Sequence, residues 1–302
     1  MQATLARSLN FRGIGLHGGA AVTLTLRPAM PDTGIRFCRI DVTDRDQIVE
    51  ARFDEVVDTR LCTKLGNSDG VTVSTVEHLM AALAACGVDN ALIDVDGPEV
   101  PVLDGSALPF IDGIRCVGLS FSPVGRRVLE VCRRVTVAHG TAIAELRPAP
   151  DFRIDFAIDF PEPAIGRQSV SLAVDADSFR HQLENCRTFA RLAEIEALRE
   201  AGMARGGDLS NAIVVDGGRV LNPGGLRRPD EFVRHKALDA VGDLALAGGP
   251  IRGAFSAERG GHDITNRLLR ALMSDPSAYR WVTDDVHPLA PQEDTALRFA
   301  AE

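Results

Sequence analysis

The feature that most limits what this chain can fold into is a motif that occurs twice. Residues 24–41, LTLRPAMPDTGIRFCRID, and residues 144–160, AELRPAPDFRIDFAIDF, both run strand, LRPA turn, short loop, second strand. Polar and apolar residues alternate around each pair with a period of two, so each pair reads as an antiparallel hairpin. Helical periodicity follows each copy, at about 75–87 and 107–116 in the first half and at about 176–188, 231–247 and 262–274 in the second. Two copies of a sheet with helices make an α+β protein rather than an alternating parallel fold. The break falls near SFSPVGRR (120–127), where Pro123 and Gly125 interrupt the periodicity, which gives expected domains 1–124 and 125–302. The second half is longer because RLAEIEALREAGMARGG, after Thr188, reads as an added amphipathic helix ended by Gly202 or Gly206. This insertion covers about 189–222.

Composition matters here for what it excludes. A chain of 302 residues, 45% hydrophobic and 25% charged, is long enough for two domains that each bury a core. A net charge of -9 argues against nucleic acid as a partner, since phosphate binding needs clustered cations. Six cysteines without a C-x-x-C pair suit a reducing compartment. Neither a signal-peptide core nor an uncharged apolar run of about 18 residues is present. A cytoplasmic protein is therefore expected, without stable membrane insertion, touching a membrane only through its substrate.

Chemistry concentrates in three stretches. In EFVRHKALDAVGD (231–243), His235, Asp239 and Asp243 are spaced by four. Each such step turns about 40° and rises about 6 Å on a helix, so the three share one face, as metal ligands or as a solvated surface. Lys236 adjoins His235 and is one of only two lysines, the other being Lys64. Val233, Ala237, Ala240, Val241 and Leu244 form the opposite, core-facing stripe, with Arg234 out of place inside it. In VSTVEHLMAAL (73–83), Ser74 and Glu77 have the S-x-x-E spacing of a capping box, under which Glu77 only starts a helix. His78 falls in the first turn, where the helix dipole keeps an imidazole neutral, as a ligand must be. His78, His235 and Asp239 supply two nitrogens and one oxygen and leave a fourth position open, the pattern of catalytic zinc. Asp243 rises about 12 Å from His235, too far to join the same shell, and is expected to orient another group.

In ERGGHDITNRLL (258–269), two glycines let the backbone turn sharply before His262, either to present the ring or merely to expose it. His17, in GIGLHGG (13–19), is bracketed by glycines that suit close approach to a ligand or a tight hairpin equally. His139, His181 and His287 read as surface. No G-x-S-x-G elbow, Walker-type loop or H-E-x-x-H helix occurs.

These stretches carry a family resemblance. GIGLH, LCT (61–63), STVEHLMAAL, VPVLDGSALPF (100–110), RTF (187–189), AIVVD (212–216), LNPGGLRRPDEFVRHKALDAVGDL and GAFSAERGGH occur in the order found in the UDP-3-O-acyl-N-acetylglucosamine deacetylases. Those are the zinc amidases of lipid A biosynthesis, and the chain resembles them from about residue 3 to 275. The resemblance implies two tandem β-α-α-β sandwich domains with the active site at their interface. It implies one zinc ion per chain, with ferrous iron as the alternative, held by His78, His235 and Asp239. Glu77 is then the general base on water, and His262 the general acid or the cationic stabiliser of the tetrahedral intermediate, paired with Asp243. Thr188 and Lys236 assist the oxyanion and bind substrate. Leu192, Ile195 and Leu209 line an acyl-chain passage in the insertion, Phe160 stacks on uracil, and His17 and Leu61 touch substrate. The implied substrate is an acylated UDP-N-acetylglucosamine, and a monomer is expected.

Two positions depart from the family pattern: Gly18 stands where Ser or Thr is frequent, and Arg191 where an apolar residue is common. A hydrolase of the same fold acting on another amide or ester is the alternative. A catalytically silent relative would have lost Glu77 or His262, and both are present.

Overall fold

The computed structural model describes residues 1–284, so His287 lies outside the described residues. Two five-stranded sheets organise it. In spatial order the first comprises Leu9–Ile14, Ala21–Pro28, Ala91–Val95, Ile35–Arg39 and Ile48–Glu50. The second comprises Val135–His139, Ala142–Arg147, Ala254–Glu258, Arg153–Asp159 and Arg167–Ala173. In each sheet only the third and fourth strands of that order run parallel, and every other neighbouring pair is antiparallel. The repeated motif thus marks two sheets of one topology.

The motif is not a hairpin, however. The strands on either side of each LRPA turn are not neighbours, because a strand from much later in the sequence lies between them. Crossing an intervening strand spans two strand spacings, roughly 10 Å, which the loop after each LRPA turn bridges. Alternation correctly reports which face is buried: Val22, Leu24 and Leu26 point inward in one sheet, and Ile154, Phe156 and Ile158 in the other. It carries no information about which strand sits alongside.

Six helices complete the described residues: α1 (Glu77–Ala85), α2 (Leu108–Val117), α3 (Ala176–Gln182), α4 (Leu192–Glu200), α5 (Glu231–Ala245) and α6 (His262–Ser274). The insertion helix is α4, and Gly202 follows it with φ +79°. Beside α4, Phe189–Arg191, Ile213–Asp216 and Arg219–Val220 form a three-stranded sheet. α3 begins with a capping box between Asp175 and Ser178 but stops at Gln182, short of the predicted residue 188.

The burial of α5 extends well beyond the single core-facing stripe read from its sequence. The helix is buried on nearly every face, with Phe232, Leu238 and Asp243 as inaccessible as the predicted stripe. Arg234 is accommodated by its partners, Asp230 Oδ1 at 2.8 Å and Gln182 Oε1 at 2.7 Å. The closest neighbour of α5 is α1, and Gly242 allows the contact. A Cβ on Gly242 would lie 2.0 Å from the Glu77 carbonyl oxygen, so only glycine lets the two backbones meet. This meeting brings the VEHL and HKALD stretches together.

Candidate metal centre

The chain turns into α1 through Thr75, whose φ of +59° is unusual for a β-branched residue. Its hydroxyl donates to Glu99 Oε1 at 2.9 Å, which holds the turn. The capping box suggested by Ser74 and Glu77 does not form. α1 begins at Glu77 itself, with Val76 as N-cap and no side-chain cap. Glu77 is therefore free of a capping duty, and its carboxylate Oε2 accepts the Thr63 backbone N–H at 3.0 Å.

One turn of α5 supplies His235 and Asp239, and α1 supplies His78 against them. All three are buried, and their ligating atoms lie within 4.8 Å of one another. Asp239 Oδ1 is 3.5 Å from His78 Nε2 and 3.3 Å from His235 Nε2. His235 Nδ1 lies 3.0 Å from the Cys186 carbonyl oxygen, which can only accept, so the proton sits on Nδ1 and the Nε2 lone pair faces the cluster. Asp239 Oδ1 is fully buried yet has no hydrogen-bond partner among the described residues. A buried carboxylate oxygen left that way is costly, and a divalent cation shared with two imidazoles would satisfy it. The donor set fits a metal ion.

Electrostatics favour the same state of these donors. Burial, opposed in part by Asp239, brings the His235 pKa down to about 4, so the ring is neutral at pH 7. Burial works against the charge on Asp239, but His235, Lys236 and His78 outweigh it and hold the carboxyl well below its ordinary range. With His235 neutral, the cation that matters at pH 7 is Lys236, whose Nζ donates to Asp239 Oδ2 at 2.7 Å. Lys236 in turn stays protonated: burial disfavours its charge, while Asp239, Asp243 and Glu77 raise its pKa.

Two titratable groups flank the donors. His262 is the first residue of α6 and is buried rather than exposed. The backbone reaches it through Gly260, where a Cβ would lie 2.8 Å from the Phe156 ring. Its Nδ1 is 2.8 Å from Asp243 Oδ2 and its Nε2 is 3.9 Å from Glu77 Oε1. Burial alone would lower its pKa, but Asp243 and Glu77 raise it to about 9, and His262 is a cation at neutral pH. Burial raises the Glu77 pKa, with His262 and His78 pulling the other way.

A cleft of about 180 Å³ opens onto these groups. Glu77, His78, His235, Lys236, Asp239 and His262 all face it, and Leu61, Phe160 and Thr188 line it too. Asp243 stands behind His262, off the cleft. The remaining candidates are elsewhere. Leu192 and Leu209 are exposed on the insertion and Ile195 is half-buried, none of them lining this cleft. His17 does not line the cleft. Its N–H donates to Glu99 Oε1 at 2.8 Å, both ring nitrogens are buried without a partner, and burial lowers its pKa. Arg191 reaches the cleft but is paired with Glu162 and Glu194, so its charge is compensated. His139 and His181 are on the surface. A larger groove of about 940 Å³, beside later turns of α1 and α5, contains none of the donor cluster.

Comparison with known proteins decides the kinship. The UDP-3-O-acyl N-acetylglycosamine deacetylase family matches residues 2–274. A UDP-3-O-acyl-N-acetylglucosamine deacetylase of Phenylobacterium zucineum is 50% identical over 279 residues, covering 92% of this chain and 95% of its own. The chain belongs to the UDP-3-O-acyl N-acetylglycosamine deacetylase family. Relatives of the same name from Myxococcus xanthus and Histophilus somni are 49% and 46% identical, over 93% and 96% of this chain and 89% and 96% of theirs.

Within this deacetylase fold, several supporting residues were not singled out from the sequence. Arg187 and Glu231 form a buried ion pair at 2.9 Å, which ties the segment before the insertion to the first turn of α5. Glu231 also accepts the Arg187 and Arg227 backbone N–H groups. Cys186, through its carbonyl, Glu99 and Thr63 act in similar fashion. Their signal was only their presence in or beside recognisable motifs, because a backbone carbonyl or amide leaves no mark in a sequence.

Proposed function

We propose that this chain hydrolyses the N-acetyl amide of a UDP-3-O-(3-hydroxyacyl)-N-acetylglucosamine in lipid A biosynthesis, releasing acetate and the free glucosamine amine. The observation that carries the proposal is the convergence of His78, His235 and Asp239, with an unpartnered Asp239 oxygen, between Glu77 and a protonated His262. The metal we assign is zinc, one ion per chain, with ferrous iron as the alternative that the same donors would accept. When bound, such an ion supplies Lewis acidity, lowering the pKa of water to about 7 and polarising the acetyl carbonyl.

The chain's own groups account for the proton movements. Glu77 Oε2 is held by the Thr63 amide, which leaves Oε1 to take the proton of the attacking water. The new carbon–oxygen bond places negative charge on the former carbonyl oxygen, and its stabilisation is assigned to Thr188 and Lys236, both of which line the cleft. As the carbon–nitrogen bond breaks, the nitrogen takes a proton from His262 Nε2, or it takes back from Glu77 Oε1 the proton drawn from water while His262 stabilises the intermediate as a cation. Asp243 holds the Nδ1–H throughout. Phe160, set edge-on against Phe189 at 5.5 Å, is assigned to stack on uracil, and substrate contacts are assigned to Leu61, which lines the cleft, and to His17, which does not. Leu192, Ile195 and Leu209 give the insertion an apolar side suited to an acyl chain, each buried methylene of which contributes roughly 0.8 kcal/mol.

No helix among the described residues is long and apolar enough to cross a membrane. We place the protein in the cytoplasm as a monomer with no nucleic-acid partner. We also assign its two sheets to separate domains divided near residue 124. The test is a metal analysis joined to turnover of Glu77→Gln. The expected result is unchanged metal content with acetate release down by about 10²- to 10⁴-fold. Normal turnover in that variant, or full activity after every metal is stripped, would end the proposal.

A further inference from the structure

We propose that Thr63 is a positioning residue that couples the base Glu77 to the acid His262. The inference rests on the roles proposed above for those two groups. Thr63 is 2% exposed and lines no part of the cleft, so it acts only through other residues. Its two polar donors go to two different carboxylates. The backbone N–H donates to Glu77 Oε2 at 3.0 Å, and Oγ1 donates to Asp243 Oδ1 at 2.5 Å. Asp243 Oδ2 takes His262 Nδ1 at 2.8 Å. The circuit closes across the cleft, where His262 Nε2 faces Glu77 Oε1 at 3.9 Å.

Among the described residues, Thr63 alone donates hydrogen bonds to both carboxylates, one from α1 and one from α5. Each carboxylate is held at the oxygen remote from the proton it handles, which leaves the other oxygen aimed. Among the described residues, no side chain other than Thr63 and His262 makes a hydrogen bond to Asp243. Without the hydroxyl, Asp243 would be held at one oxygen and free to rotate about its χ2 torsion, and the imidazole would rotate with it. A β-branched residue suits the task because its χ1 has few choices in a packed loop. The Thr63 carbonyl also accepts the Val76 N–H at 3.4 Å, tying this loop to the start of α1.

Steady-state kinetics of Thr63→Val, Thr63→Ser, Asp243→Asn and the Thr63→Val/Asp243→Asn double variant test this, with Glu77→Gln alongside. Metal content and thermal unfolding are measured for each. Hydrogen bonds to charged groups contribute enough that Thr63→Val should lower kcat by about 10- to 100-fold, with KM and metal content unchanged. Thr63→Ser should recover most of the loss. Because Thr63 acts through Asp243, Thr63→Val should cost little more once Asp243 is already Asn. If the valine variant does not fold, Thr63→Ala removes the hydroxyl without placing a methyl against the carboxylate and carries the same comparison. Wild-type kcat in the folded hydroxyl-free variant, or additive losses in the double variant, would overturn the role of Thr63 while an inactive Glu77→Gln left the catalytic assignment standing. An active Glu77→Gln would overturn both.

Discussion

His262 Nδ1 and Asp243 Oδ2 lie 2.8 Å apart, buried, on two different helices. The geometry makes the imidazole a stable cation, and the pKa of about 9 follows from Asp243 on one side and Glu77 on the other.

A pH dependence follows. The pKa is raised above the ordinary 6.5, so the contribution of this pair to stability is complete below about pH 6.5 and is lost as pH rises through about 9. Turnover that needs the His262 proton should fall on the alkaline side of about pH 9. Asp243→Asn should lower turnover and shift that alkaline limb to lower pH. A rate profile whose alkaline limb stays put in Asp243→Asn would detach the limb from His262.

Gly242→Ala should separate α1 from α5. The added methyl meets the Glu77 carbonyl at 2.0 Å, a backbone atom that cannot rotate away. Overpacking of this kind costs about 1–3 kcal/mol, and here it also displaces His78 from His235 and Asp239. Urea denaturation should show the lost stability, and titration with zinc a weaker affinity. Wild-type values for both would mean that the helices tolerate more separation than their contact implies.

Glu231→Gln leaves Arg187 buried without a countercharge. Breaking a buried pair from one side costs about 3–5 kcal/mol, so thermal unfolding should move down by many degrees. Replacing both partners with apolar residues of similar volume should recover much of the loss. A single variant as stable as the parent would show that water reaches Arg187.

Leu192→Ser combined with Leu209→Ser should raise KM for a long-acyl substrate by about 10-fold or more and leave kcat alone, because only ground-state burial is removed. A UDP-sugar substrate without the acyl chain should not distinguish this variant from the parent. Equal effects on the two substrates would remove the insertion from acyl recognition.

Much of this was legible beforehand, for definite reasons. Side-chain chemistry at helical spacing placed His235, Asp239 and Asp243 on one face, and the rise along α5 set Asp243 apart from the other two, as it stands apart from the cluster of His78, His235 and Asp239. The repeated LRPA stretches marked two sheets of the same topology. Pairing was not legible, because alternation describes faces and not neighbours, and a late strand entered each supposed hairpin. The capping box was misleading for a similar reason: S-x-x-E spacing cannot reveal that Thr75 turns left-handed and starts the helix at Glu77. Burial all round α5 was hidden because the face of His235, Asp239 and Asp243 reads equally as metal ligands or as a solvated surface until their partners are known. Contacts made by backbone atoms, such as the Cys186 carbonyl and the Thr63 amide, left no trace at all.

The split of the donors between α1 and α5 has a consequence for the nascent protein. While the ribosome is still making the later helix, His78 has no companions and the emerging chain offers no complete cage for an ion. The full set of three donors, His78, His235 and Asp239, exists only once α5 has been made and packed against α1.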